Sequence, residues 1–308
     1  MAKPTIANVA ELAGVSQATV SRALRGATNV TEETRIKVQR AADQLNFTLS
    51  KSASALASGK TMRVILLVSG KLNEWFNSGV LQGVYEELAP VGYDVTPAFI
   101  TDRSELDRFF SQLPKSRNAD AIIISSFQLM PAMRDQLQAI DLPTVGVNVP
   151  AESGYFDASI SIDNSSAMTM AVRLLRSLGH TNIAFCSDYI PADMVYNTSQ
   201  RTQAFADAAQ ANATDGITFS LLTADAHDAP LSKSDLASQL TAKLLSLPER
   251  PTAVCVETDQ VAIALVKELR KQQLHVPEDI SVLGFDDAEI AQAADLSTIR
   301  QEPIELGR

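Results

Sequence analysis

Apolar residues at the start of the chain recur at helical spacing. Ile6, Val9, Ala10 and Ala13 fall at i, i+3, i+4 and i+7, one face of a short helix. Gly14 follows, where a helix end commonly takes a left-handed residue. After the apolar Val15, Ser16 is a good N-cap for a second helix. That helix would bury Val20, Ala23 and Leu24 and leave Gln17, Ala18, Thr19, Ser21 and Arg22 on its N-terminal and outer faces. Thr31 caps a third helix, with Glu32 and Glu33 in the first turn, where the dipole favours acids, and Val38, Ala41, Ala42 and Leu45 as its apolar stripe. Two short helices joined through a glycine-containing turn predict a helix-turn-helix, whose second helix is free to enter a major groove. A plain helical hairpin opening a globular domain is the alternative.

The pattern then loses its period. Residues 48–61 are small and polar apart from Leu49 and Leu56, too short for a stable isolated helix, and read as a linker. From Arg63 short β-branched runs take over: Val64–Val68, Val95–Phe99, Ala121–Ser125, Thr144–Val147 and Ile160–Ile162, with helical stretches at about 77–91, 102–113 and 129–140 between most of them. A second series follows, with helices at 165–178, 200–211, 234–247 and 259–272 and strands at 183–186, 217–222, 253–256 and 281–285. Alternating helices and fully apolar strands predict parallel sheets covered on both faces. Two such series predict two doubly wound subdomains, with ligands at the strand C-terminal ends where the subdomains face each other.

Charge sharpens this division. The net charge of −10 argues at first against a nucleic-acid binder. Yet residues 1–60 hold eight Lys and Arg against four Asp and Glu, and the remainder eighteen against thirty-two. A basic head on an acidic body suits a protein that touches phosphates with one end. Cys186 and Cys255 lie in strand-like runs and read as buried, reduced thiols. His180, His227 and His275 are scattered without metal spacing, and no cofactor motif is present. The N-terminus lacks the apolar stretch of a signal peptide and no run matches a transmembrane helix, so the expected location is the cytoplasm.

At this point the chain resembles the LacI/GalR family of bacterial transcription regulators. The resemblance rests on Ile6-Ala-Asn-Val-Ala-Glu-Leu-Ala-Gly-Val-Ser-Gln-Ala-Thr-Val-Ser-Arg22, Val30-Thr-Glu-Glu-Thr-Arg35, Ser161-Ile-Asp-Asn164, Leu178-Gly-His180, Thr258-Asp259, Val276-Pro-Glu-Asp-Ile-Ser-Val-Leu-Gly-Phe-Asp-Asp287 and Leu296-Ser-Thr-Ile-Arg-Gln301, in that order. It implies a helix-turn-helix head (1–49), a hinge helix (50–60) and a periplasmic-binding-protein-like body (61–308). The body divides into an N-subdomain of about 61–162 plus 294–308 and a C-subdomain of about 163–293. It further implies a sugar-responsive repressor acting as a homodimer on near-palindromic operator DNA.

Carried over by position, Ser16, Gln17, Ala18, Thr19, Ser21, Arg22 and Asn29 are DNA contacts, and Leu56 is a wedge for the minor groove, where an apolar insertion bends the duplex. The matching effector contacts are Trp75, Phe76, Ser125, Asn148, Arg201, Asp259 and Asp286: aromatic faces cover a sugar or base ring while Arg, Asp and Asn bond its polar edge. Asp259 could equally cap the helix it precedes, and Trp75 and Phe76 could be core or dimer residues. Arg25, Leu49, Ser54 and Ala204 depart from the family's usual Asn, Pro, Arg and Gly. The chain ends at Ile304-Glu-Leu-Gly-Arg308 where family members continue, which implies apolar surface left uncovered in the body.

Two other classes fit parts of the pattern. A transporter's solute-binding protein would have the body alone, but the basic head and the missing export signal oppose it. A sugar-metabolising enzyme would need a nucleophile elbow, a phosphate-binding loop or a metal cluster, and the sequence has none. The expectation is a regulator, not an enzyme.

Overall fold

The apolar cores of the structure, a computed structural model, each lie within one of two units. Residues 4–27, 29–48, 60–116, 118–149, 156–189, 196–226 and 231–308 are described. The chain separates into Met1–Met62 and Arg63–Arg308.

In the first unit, helices α1 (Ile6–Ala13), α2 (Gln17–Leu24) and α3 (Glu32–Gln44) begin at side-chain caps. Thr5 and Asn8 form a capping box, and Ser16 and Thr31 accept the N–H groups of Thr19 and Thr34. Gly14 closes α1 at φ 65°, a conformation that costs glycine nothing. Val9, Ala10, Val20, Ala23, Val38, Ala41 and Ala42 are buried together, with Leu24 and Phe47 packed at the margin.

The second unit holds two parallel sheets. The first contains β1 (Arg63–Ser69), β2 (Asp94–Ile100), β3 (Ala121–Ser125), β4 (Thr144–Val147) and β5 (Ala158–Ile160) in the order β2-β1-β3-β4-β5. Helices α4 (Trp75–Leu88), α5 (Arg103–Ser116) and α6 (Pro131–Ala139) connect them. Alternate residues of β1 enter opposite cores: Ile65 and Leu67 join Phe110 and Ile124, while Leu66 and Val68 meet Val80 and Val84. Pro97 lies in β2 at the sheet edge, where its missing N–H costs the ladder least.

The second sheet takes β6 (Asn182–Ser187), β7 (Thr218–Thr223), β8 (Ala253–Val256), β9 (Ser281–Asp286) and β10 (Ser297–Arg300) in the order β10-β9-β8-β6-β7. It repeats the first sheet's winding: the second strand of each series lies outside the first, and the rest run the other way. Its helices are α7 (Asn164–Ser177), α8 (Asn197–Ala211), α9 (Lys233–Leu245), α10 (Asp259–Lys271) and the short α11 (Glu289–Ala293). Cys186 and Cys255 are buried in β6 and β8, where burial pushes both thiols up.

Two boundaries differ from the sequence reading. β5 spans 158–160 rather than 160–162; Thr144 N–H and hydroxyl both donate to the Asp157 carboxylate and fix the strand two residues earlier, while Ile162 packs on the core of the second sheet. The 294–308 segment does not return whole to the first subdomain. β10 pairs with β9, and only the terminal helix α12 (Pro303–Gly307) crosses back to lie on α4. Small residues permit that contact: a methyl at Gly83 would lie 2.1 Å from the Ile304 carbonyl oxygen, and one at Gly307 would lie 2.4 Å from that of Val80. Arg308 then reaches Glu86 at 2.7 Å.

Candidate functional site

In the head, Gln17, Ala18 and Arg22 are exposed on α2, as is Ser16 at its cap, and α2 has no acid in its first turn. The Ser16 hydroxyl accepts the Thr19 N–H at 3.1 Å and lies 2.9 Å from the Thr19 hydroxyl, so this pair fixes the start of the helix. Ser21 is half-buried; its hydroxyl accepts from the Arg25 guanidinium, whose Nε also donates to the Ser21 carbonyl at 3.1 Å. Asn29 is exposed before α3. Leu56 and the hinge segment fall within 49–59, outside the described residues. A positive helix N-terminus with Arg22 and Arg25 one and two turns on is an arrangement that suits phosphate.

The body has a cleft of about 200 Å³ between its two sheets, at the C-terminal ends of the strands where the winding reverses. Trp75 and Phe76, Asn148, Arg201 and Asp286 all line it, five of the seven expected contacts. Phe76 also packs against the core beside β1. Ser125 is fully buried at the end of β3, and its neighbour Ser126 lines the cleft instead.

Asp259 lies behind the wall. Thr258 is the N-cap of α10, and the Asp259 carboxylate accepts the Ala288 N–H at 3.0 Å and the Thr298 hydroxyl at 2.5 Å. It thereby ties β10 and the loop after β9 to α10, and Gln260 faces the cleft in its place.

Arg201 is 2% exposed. Its guanidinium lies 3.7 Å from the Phe285 ring centre and 3.9 Å from Asp286, donating from Nη1 to the Glu257 carbonyl at 2.5 Å and from Nε to Asn164 at 3.4 Å. Burial works against its charge; Asp286, Glu257 and Asp259 support it. Burial pushes the Asp286 carboxyl up to about 7, against the pull of Arg201. Burial raises Glu257 likewise to about 7, opposed by the Asp188 N–H it accepts. Asp286 and Asp287 face different ways: Asp286 accepts from Gln301, and Asp287 lies 3.6 Å from Arg300. The Gln301 Oε1 is buried without a hydrogen-bond partner among the described residues, and Gln301 lines the cleft. Ser126, Asn148 and Asp286 hold positive φ angles of 73°, 53° and 137° around the same space. Such costly backbones cluster where side chains must be aimed.

Sequence reasoning missed Gln301 and Asn197, which line the cleft, and Asn164, which hydrogen-bonds to Asn197 and Arg201 behind it. Asn197 stands one turn before Arg201 on α8, and that i, i+4 spacing is the signal that could have found it. Among the described residues no group of His, Cys, Asp and Glu could hold a metal ion, and no helix is long and apolar enough to cross a membrane.

A helix-turn-helix unit with its second helix exposed, on one chain with a two-subdomain body of periplasmic-binding type, defines a DNA-binding regulator. Residues 5–50 match the model of bacterial regulatory proteins of the lacI family, and residues 172–308 match that of the periplasmic binding protein-like domain. The repressor PurR of Vibrio cholerae is 30% identical over 309 residues, covering 99% of this chain and 88% of that protein. The chain belongs to the LacI family of bacterial regulatory proteins, and is a transcriptional regulator rather than an enzyme. Among solved structures, the lac repressor dimer bound to operator and the anti-inducer ONPF shares the fold, with a TM-score of 0.82 at 24% identity over 99% of this chain and 90% of that one. The regulator CelR in complex with cellobiose gives 0.65 at 26%, over 99% and 90%.

Proposed function

We propose that the protein is a cytoplasmic repressor that binds a near-palindromic operator as a homodimer, and that a sugar or sugar derivative in the cleft controls its affinity for DNA. The observation that carries this reading is the cleft itself, built at the strand ends of a body that shares its chain with a helix-turn-helix head. Its chemistry favours a polyhydroxylated ring. Trp75 and Phe76 offer apolar faces; Asp286 accepts, and Asn148 and Arg201 donate. Hydroxyl groups, which do both, satisfy such a mixed set. CelR, solved in complex with cellobiose, supports the class. In this reading the ligand changes the angle between subdomains and so the population of dimers able to dock two heads at once, with Leu56 entering the operator centre.

Selection from random duplexes, with and without hexoses, cellobiose and purine bases, tests it. The expected product is a two-fold symmetric site whose retention changes with one of the sugars. A site with a single unpaired half would overturn the dimer, and a response to a purine alone would replace the sugar.

A further inference from the structure

Under the cleft, four buried side chains form a hydrogen-bonded line that crosses from one subdomain to the other. Arg201 Nε donates to Asn164 Oδ1 at 3.4 Å; Asn164 Nδ2 donates to Asn197 Oδ1; Asn197 Nδ2 donates to Asn148 Oδ1 and, at 2.9 Å, to the Asn148 carbonyl. None of the four is more than 5% exposed. Asn164, Asn197 and Arg201 belong to the second subdomain, on α7 and α8, and Asn148 follows β4 of the first. Beside the line, the Asn197 N–H donates to the Ser126 carbonyl at 3.0 Å and Phe127 forms a β-bridge with Tyr196.

The ends of the line fix its direction. Arg201 Nε can only donate, and the Asn148 carbonyl can only accept. Each amide between them therefore has one orientation, with oxygen toward Arg201 and nitrogen toward Asn148. Asn148, its oxygen taken by Asn197, is left with its amide nitrogen to offer the cleft it lines. We propose that Asn197 and Asn164 are positioning residues: they aim the Arg201 guanidinium and the Asn148 amide together, and only when the two subdomains are drawn onto each other. A ligand that engages Arg201 and Asn148 then stabilises closure through this line rather than by its own span alone. The purpose of the line rests on the cleft being an effector site, but its existence can be tested without an effector.

Trp75 is the chain's sole tryptophan and lines the cleft, so quenching of its emission by acrylamide in the full chain reports how open the cleft is. Two chemically identical exchanges should act differently. Asn197→Asp turns an oxygen onto the Asn148 carbonyl and breaks the line, whereas Asn148→Asp keeps the oxygen that Asn197 needs and tolerates the left-handed backbone there. The expected result, well below the melting temperature, is a quenching constant about twofold higher for Asn197→Asp, as a shift toward an open state requires, and unchanged for Asn148→Asp. Asn164→Ala should behave as Asn197→Asp. If Asn197→Asp does not fold, Asn197→Ser, too short to reach Asn148, takes its place. Equal quenching for the Asn197 and Asn148 variants, or a loss of stability in Asn197→Asp with quenching unchanged, would overturn the proposal. Sugar binding that fails while this contrast holds would instead count against the effector reading.

Discussion

Glu257 shows what burial does to a single residue. It is 5% exposed and its carboxyl is pushed up to about 7, so the folded protein holds a proton there that the unfolded chain has lost above the ordinary carboxylate range. The unfolded state therefore binds fewer protons across that interval, and stability falls as pH rises from the ordinary range through about 7. Asp286 adds to the same slope. Calorimetric melting temperatures of the wild type should decline between mildly acidic and mildly alkaline buffer. Glu257→Gln keeps the acceptor for the Asp188 N–H and should flatten part of that decline. A wild-type melting temperature that rises over this interval would contradict the assignment. Residue types that cap or pack locally were legible in the sequence: Ser16, Gly14 and Thr31 act where they stand. Asp259 was not, because neighbours in sequence cannot say which side of a wall a carboxylate takes; Thr298 and the Ala288 N–H, which it holds, arrive with later elements.

Among elements, the contact of α12 on α4 depends on backbones approaching where glycines stand. Gly83→Ala would drive a methyl into the Ile304 carbonyl. Overpacking of this kind costs about 1–3 kcal/mol, so the body should melt several degrees lower, and the amides of 304–308 should lose protection from hydrogen exchange first. An unchanged melting temperature would show that α12 contributes little to the body. The sequence revealed nearly all strands and long helices because the central strands are continuous apolar runs and the helices carry apolar stripes at helical spacing. It concealed β10, in which Ile299 alone is buried, and α12, whose partner is a helix far earlier in the chain. The asparagine line was hidden for a similar reason: its members sit at helix starts and loop ends, where hydrophobic periodicity is silent.

For the whole molecule, two units that share no core imply two melting events. The head has three helices and a small set of buried residues, dominated by Val and Ala. Units of this size are marginal on their own, so its transition should come first. Val38 is fully buried in it, and Val38→Ala should remove about 2 kcal/mol from the head while the body transition stays in place. Calorimetry of the full chain distinguishes this from a single shared transition, which would move as one. The shared winding of the two sheets was legible only as two series of strands. That they repeat the same strand order, and so place their reversals opposite each other, follows from pairings that sequence does not display.

The return of α12 to α4 also bears on how the protein is made. The head lies first in the chain and needs nothing that follows for its core. At about 5–20 residues per second, the ribosome takes on the order of tens of seconds to pass from α4 to α12. Throughout that interval the nascent chain carries the three helices of its head while the first sheet waits for α12. The order of birth thus separates two abilities, so that a chain still being translated can meet nucleic acid before α12 has joined its body.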